Sequence, residues 1–336
     1  MFDETPYISV IICTYNRDKF IGKSLECIYE QSLDKSFYEI IVIDNNSTDN
    51  TADIIKSFIS QHSGLSIRYV FESNKGLSFA RNRGMKEAKG QILTYVDDDA
   101  EAVPNFLESI YQLMKEKPGV IGIGGKVMPV YPGGTEPVWM NKYLNGFVGR
   151  VDFGTNPLPF NKKMKYPAGC NMTYRKEILQ KAGGFNNKLT FRSDDKYIFY
   201  QVSKISSNIY YLPQAMVYHN IDQQRLTFEN FKRLYLKTGN EEKIRIRSEG
   251  SFFGLIVKFF ELVFKTGASL LLYLKFLFQG QEIKGRYIVF SQWFTLFGFL
   301  QKKIFALLLR ANLLLAPPCW KKKQPQSVQK QRLWAG

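Results

Sequence analysis

Three aspartates in a row, Asp97, Asp98 and Asp99, close a strand-like run from Gln91 to Val96. Adjacent carboxylates repel unless a cation or hydrogen-bond donors absorb their charge. The carboxyl end of a strand is where α/β proteins place ligand-binding groups. The triplet therefore reads as a site for a hard divalent cation and the phosphates that travel with it. The plainer alternative is an acidic turn capping a helix that starts near Pro104.

The elements that must position this triplet are legible upstream. Tyr7 to Cys13 is a short apolar, β-branched run of the kind buried in a parallel sheet. Phe20, Ile21, Leu25, Ile28 and Tyr29 then recur at helical spacing. Glu39 to Ile43 is a second strand closed by Asp44, and Asn45 to Asp49 supply turn and cap chemistry for a helix carrying Ile54, Ile55, Phe58 and Ile59. Ser66 to Phe71, Gly76 to Ala88 and Gln91 to Val96 continue the rhythm as strand, helix and strand. This alternation predicts an α/β protein with a mostly parallel sheet flanked by helices. Its polar strand ends, with Asn16, Asp44 and Asp97 to Asp99, then converge on one crevice. No Gly-x-Gly-x-x-Gly follows the first strand and no P-loop pattern is present, which argues against dinucleotide cofactors and P-loop chemistry.

Composition narrows the class. An apolar fraction of 45% over 336 residues suits a substantial core. Cys13, Cys27, Cys170 and Cys319 show neither close pairing nor metal-type spacing, and fit a reducing compartment. The acidic first residues lack the basic and apolar regions of a signal peptide. Of the net charge of +16, residues 232–336 carry +14, from 19 Lys/Arg against 5 Asp/Glu. A basic region seeks an anionic partner.

Ser9 to Arg17, Val42 to Asp49, Asn74 to Asn82 and Asp97 to Asp99, in that order and spacing, resemble the family 2 glycosyltransferases of the GT-A fold. Gly169-Cys170-Asn171-Met172 and Gly183-Gly184-Phe185 are similar to that family's acceptor-side segment. Asp194-Asp195 and Val217-Tyr218-His219 are similar to its late acidic pair and terminal histidine. The resemblance covers residues 7–222. It implies an inverting transfer from a nucleotide-sugar donor, usually uridine-linked, with Mn2+ or Mg2+ on the diphosphate. By position, Thr14, Tyr15 and Asn16 frame base and ribose, Asp44 accepts a hydrogen bond from the base, and Arg81 faces the nucleotide. Asp97 and Asp98 contact ribose and metal, Asp99 is the firmest metal ligand, and His219 joins it. Gly169, Cys170 and Asn171 meet the acceptor. Asp195 is the expected general base and Asp194 its close rival, because the family's usual pair is Glu-Asp after Gly and here Asp-Asp follows Arg192-Ser193. A solvated first turn of a helix is the alternative for that pair. His62, on a polar helix end, receives no role. Pro129 to Lys165 reads as an acceptor-facing loop region, where Trp139, Tyr143, Phe147 and Phe153 either stack on sugars or pack the loop.

Three segments are expected: a GT-A domain over residues 1–245, an apolar and amphipathic helical region over 246–316, and a basic tail over 317–336. Lys258, Glu261 and Lys265 mark one face of an amphipathic helix in an otherwise apolar run. Basic helices rich in Phe and Leu fit the membrane interface, and Lys321 to Lys323 beside Trp320 add an anionic-lipid patch. A soluble helical subdomain and a tilted membrane-crossing hairpin are the alternatives; nucleic-acid binding is not expected. The whole reads as a metal-dependent, hexosyltransferase-type enzyme on the cytoplasmic face of the cell membrane, peripheral or monotopic. Its partners are a nucleotide-sugar donor, a saccharide or lipid-linked saccharide acceptor and the membrane surface, in the synthesis of cell-surface polysaccharide or glycolipid. A sugar-phosphate nucleotidyltransferase and a non-catalytic nucleotide-sugar binder are the rival readings.

Overall fold

The computed structural model describes residues 6–160, 164, 166–189 and 193–300. The first half holds strand β1 (Ile8–Thr14), helix α1 (Ile21–Tyr29), β2 (Tyr38–Asp44), α2 (Thr51–Gln61), β3 (Ile67–Phe71), α3 (Leu77–Glu87) and β4 (Ile92–Asp97). Then come β5 (Ala100–Ala102), α4 (Phe106–Glu116), β6 (Gly122–Val130), β7 (Leu158–Pro159), β8 (Asn171–Arg175), α5 (Lys176–Lys181), α6 (Asp194–Ile205) and β9 (Ile209–Asn220). Three longer helices follow, α7 (Phe228–Ser248), α8 (Phe252–Phe278) and α9 (Glu282–Phe299).

The sheet runs β3-β2-β1-β4-β8-β6-β9-β5, with β7 on β9. From β3 to β4 every pairing is parallel, as the alternating sequence predicts. Beyond β4 the sheet is mixed, because β8 runs antiparallel to both β4 and β6. Every residue of β1 and β2 is buried, as expected of strands covered on both faces. Val10 and Ile12 of β1 join Leu25, Ile55 and Phe106 on one face. Ile11 and Cys13 join Ala80, Leu179 and Val202 on the other. Period-two alternation thus packs α1, α2 and α4 on one side, and α3, α5 and α6 on the other.

The last three helices depart from the expected division. The boundary drawn at 245/246 falls inside α7, and α9 shares a core with the loop region before β7. Trp139 stacks on Tyr287 at 4.5 Å between ring centres, and Phe147, Phe231 and Phe294 complete that cluster. Trp139 and Phe147 are therefore packing residues, whereas Tyr143 and Phe153 are exposed. Among the described residues no helix is long and apolar enough to cross a membrane. Helix α8 buries Leu262 and Ser269, and its Lys258 meets Glu242 of α7 at 3.5 Å while Lys265 stays exposed. Another face leaves Phe253, Phe260, Phe264, Leu271 and Phe278 exposed. The tail expected over 317–336, with Lys321 to Lys323, lies outside the described residues, as do Lys302, Lys303 and Arg310.

Candidate active site

Sheet register gathers the site. Thr14 pairs with Asp44 across β1 and β2, and Cys13 pairs with Asp97 across β1 and β4. The ends of three parallel strands thus bring Thr14, Asp44 and Asp97 to one rim. Asp44 is buried; its carboxylate accepts hydrogen bonds from the Tyr69 hydroxyl at 2.7 Å and the Ser47 backbone N–H at 2.9 Å. Carboxylate oxygens hold further lone pairs for a ligand. Asn16 sits at φ 53°, a left-handed geometry that Asn tolerates. Its backbone N–H donates to Ser47 Oγ at 3.0 Å and its Oδ1 accepts from Thr48 N–H at 2.8 Å. Asn16 therefore ties the loop after β1 to the loop after β2. Tyr15 stands exposed beside it, with the Lys75 ammonium 5.5 Å from its ring centre.

The three aspartates are not equivalent. Asp97 Oδ1 lies 3.2 Å from Arg81 Nη2. Asp98 and Asp99 share Arg17, at 3.5 Å to Nε and 3.4 Å to Nη2. Burial, then the neighbouring Asp99 carboxylate, pushes the Asp98 acid up from the usual range. Burial pushes Asp99 the same way, but His219 and Arg17 outweigh it and hold Asp99 low. The sequence alone assigns Arg17 no role; its one signal is a cation three residues beyond the strand that ends beside the acidic triplet.

Strand pairing also explains Asp99 and His219. Ala100 of β5 pairs with His219 of β9, which sets His219 Nε2 3.3 Å from Asp99 Oδ1. His219 Nδ1 is 2.8 Å from the Val148 carbonyl. A carbonyl only accepts, so Nδ1 carries a proton and Nε2 is the ring nitrogen turned toward Asp99. Asp99 Oδ1 is buried without a hydrogen-bond partner. A buried carboxylate oxygen and an imidazole nitrogen turned to the same point are a donor pair that would suit a divalent cation. Among the described residues no three His, Cys, Asp or Glu side chains gather as ligands. The protein thus offers two donors, which suits ions that keep water and bind substrate phosphates.

Arg81 organises the second half of the site. It is 2% exposed, and its guanidinium pairs with Asp194, reaches Asp97 and donates to the Gly169 carbonyl at 2.9 Å. Its expected place facing the nucleotide gives way to this buried clasp, which joins the end of β4 to the start of α6. Asp194 is buried by the same pair. Asp195 is only partly buried, and its Oδ2 accepts the Gly169 N–H at 3.2 Å. The acceptor-facing role expected of Cys170 and Asn171 is corrected by their burial. Cys170 belongs to the core, and burial drives its thiol well above the usual range. Asn171 donates to the Ala215 carbonyl at 2.8 Å and the Lys126 carbonyl at 3.1 Å, bracing the irregularity where β6 shifts register on β9. Of the three, Gly169 alone touches a candidate catalytic group, and it does so through its backbone.

The chain is similar to known proteins. The family model for glycosyl transferase family 2 matches residues 9–183. The chain belongs to that family. Among curated relatives of this family 2 glycosyltransferase is glycosyltransferase AglE of Haloferax volcanii, 29% identical over 195 residues, 58% of this chain and 60% of that protein. Glucosyl-dolichyl phosphate glucuronosyltransferase of the same organism is 22% identical over 232 residues, 66% of this chain and 72% of that protein. The chain thus spans under two thirds of the first relative's length. Two solved structures share the α/β GT-A-like fold. One is S. aureus TarS 1-349 in complex with UDP-GlcNAc, with a TM-score of 0.54, 18% identity, and cover of 85% of this chain and 90% of that one. The other is mannosyltransferase PcManGT from Pyrobaculum calidifontis in complex with GDP-Man and Mn2+, with a TM-score of 0.53, 15% identity, and cover of 94% and 82%.

Proposed function

We propose that this family 2 glycosyltransferase moves a sugar, with inversion, from a uridine-linked nucleotide-diphosphate donor to a hydroxyl of a lipid-linked saccharide. The observation that carries the reading is one rim holding Thr14, Asp44, Asp97, Asp99 and His219, to which Arg81 and Gly169 tie Asp194 and Asp195. Asp44, Thr14 and Tyr15 receive the base and ribose. Asp99 and His219 hold Mn2+ or Mg2+, which when bound neutralises charge on the departing diphosphate. Asp195 takes the proton of the acceptor hydroxyl. The acceptor oxygen bonds to the anomeric carbon opposite the diphosphate, the carbon–phosphate-oxygen bond breaks, and its electron pair leaves with the nucleoside diphosphate. A single displacement inverts the centre. Asp195 is preferred to Asp194 because Arg81 already neutralises the latter. One relative is named for action on glucosyl-dolichyl phosphate, which supports a lipid-linked acceptor. The exposed apolar face of α8 supports attachment to the cytoplasmic face of the membrane.

The test is nucleoside diphosphate release from UDP-GlcNAc, UDP-glucose and GDP-mannose with and without Mn2+. Metal-dependent release of UDP is expected. Pyrophosphate release from a nucleoside triphosphate and a sugar phosphate would establish a nucleotidyltransferase instead. Tight binding of nucleotide-sugars with no turnover, even with lipid-linked acceptors, would leave a non-catalytic binder.

A further inference from the structure

A groove of about 820 Å3 opens between α6, α7 and α8, outside the donor rim. Its floor is ionic. Glu242 of α7 meets Lys196 of α6 at 2.5 Å, Arg245 at 2.8 Å and Lys258 of α8 at 3.5 Å. Three cations thus surround one buried carboxylate. Further out, Arg245 pairs with Glu249, and Glu261 pairs with Lys258 and Lys265. Across the lining, four cations face three carboxylates, with the surplus on the buried floor. The walls carry the rings of Phe160, Tyr166, Phe199 and Tyr200.

Three placements give the groove a direction. Lys196 adjoins Asp195 in the first turn of α6, and Tyr166 lies three residues before Gly169, whose N–H holds Asp195. Lys196 thus ties the groove to the helix turn that carries the candidate base. Lys258 and Lys265 tie it to α8. The adjoining face of that helix carries the exposed apolar stripe of Phe253, Phe260, Phe264 and Leu271.

Building on the sugar-transfer reading above, we propose that this groove is the acceptor subsite for an isoprenoid-phosphate-linked saccharide. The phosphate lies over Lys196, Arg245 and Lys258, the saccharide extends along the aromatic walls toward Asp195, and the isoprenoid chain leaves across α8. Charge complementarity selects the phosphate: a floor with surplus positive charge, shielded from water, favours an anion. Aromatic walls suit the apolar faces of sugar rings, and the stripe on α8 suits a hydrocarbon chain.

Calorimetry of the full chain with farnesyl phosphate, farnesol and inorganic phosphate tests this. Farnesyl phosphate is expected to bind roughly tenfold or more tightly than either fragment. Lys258→Glu, which reverses the floor charge, and Ser203→Trp, which fills the groove without changing charge, are each expected to weaken it by about tenfold. Inorganic phosphate binding as tightly as farnesyl phosphate, or unchanged farnesyl phosphate binding in both variants, overturns the proposal. Nucleotide-sugar binding by the unaltered chain is read separately. Its absence would sink the sugar-transfer reading, whereas donor turnover with no farnesyl phosphate binding would sink the groove alone.

Discussion

At the scale of residues, the site is a set of charges held in unequal states by their neighbours. Asp99 stays ionised because His219 and Arg17 stand against it, while Asp98 is pushed toward the neutral acid. Asp194 and Asp195 are adjacent in the chain, yet only the first is locked by Arg81. Asp195→Asn is therefore expected to keep donor affinity while transfer falls by about 10²–10⁴-fold. Turnover at the wild-type rate would move the base elsewhere. Arg81→Lys should do a different kind of damage. A lysine cannot span Asp194, Asp97 and the Gly169 carbonyl together, and breaking a buried pair costs about 3–5 kcal/mol. A drop in melting temperature together with loss of activity is expected; an unshifted melt would mean that the clasp is not structural.

Elements decide which residues meet. The register of β5 on β9 brings His219 to Asp99 across 120 residues of chain, and the register of β1 on β2 and β4 builds the donor rim. Helix crossing decides the C-terminal half. A Cβ on Gly298 of α9 would lie 1.9 Å from the Leu236 carbonyl oxygen of α7, and one on Gly239 of α7 would lie 2.0 Å from the Thr295 carbonyl oxygen of α9. Backbones this close leave no room for a side chain. Gly298→Ala is expected to force the two helices apart and destabilise the protein by about 1–3 kcal/mol. Gly267→Ala on α8, where a Cβ meets open space, serves as the control. Equal thermal melts for the two variants would contradict the crossing.

At the scale of the molecule, α8 keeps a broad apolar face uncovered. Its Lys258 turns toward α7, while Phe253, Phe260, Phe264 and Phe278 stay exposed. An exposed apolar face of this length marks an interaction surface, and the +14 carried by residues 232–336 favours an anionic one. The chain is expected to float with phosphatidylglycerol vesicles. Phe260→Asp combined with Phe264→Asp should release it with little change in melting temperature, because both side chains are exposed. Undiminished flotation of that variant would remove α8 from the attachment.

The chain alone determined the alternating first half, the strand-end aspartates and the family resemblance. These are local: continuous β-branched runs such as Tyr38 to Asp44 bury both faces in any parallel sheet, and polar groups follow their ends. Only the tertiary structure decided the rest. Asn171 and Arg81 read as ligand groups because their residue types suit ligands, yet a buried amide must find carbonyls and a buried guanidinium must find carboxylates. Those partners lie as far as 113 positions away. Trp139 and Phe147 could stack on sugar or on protein until α9 folded back over them. Sequence likewise showed that α8 has a charged face and an apolar one; that Lys258 is drawn in while the phenylalanine stripe stays exposed was settled by the position of Glu242 on α7.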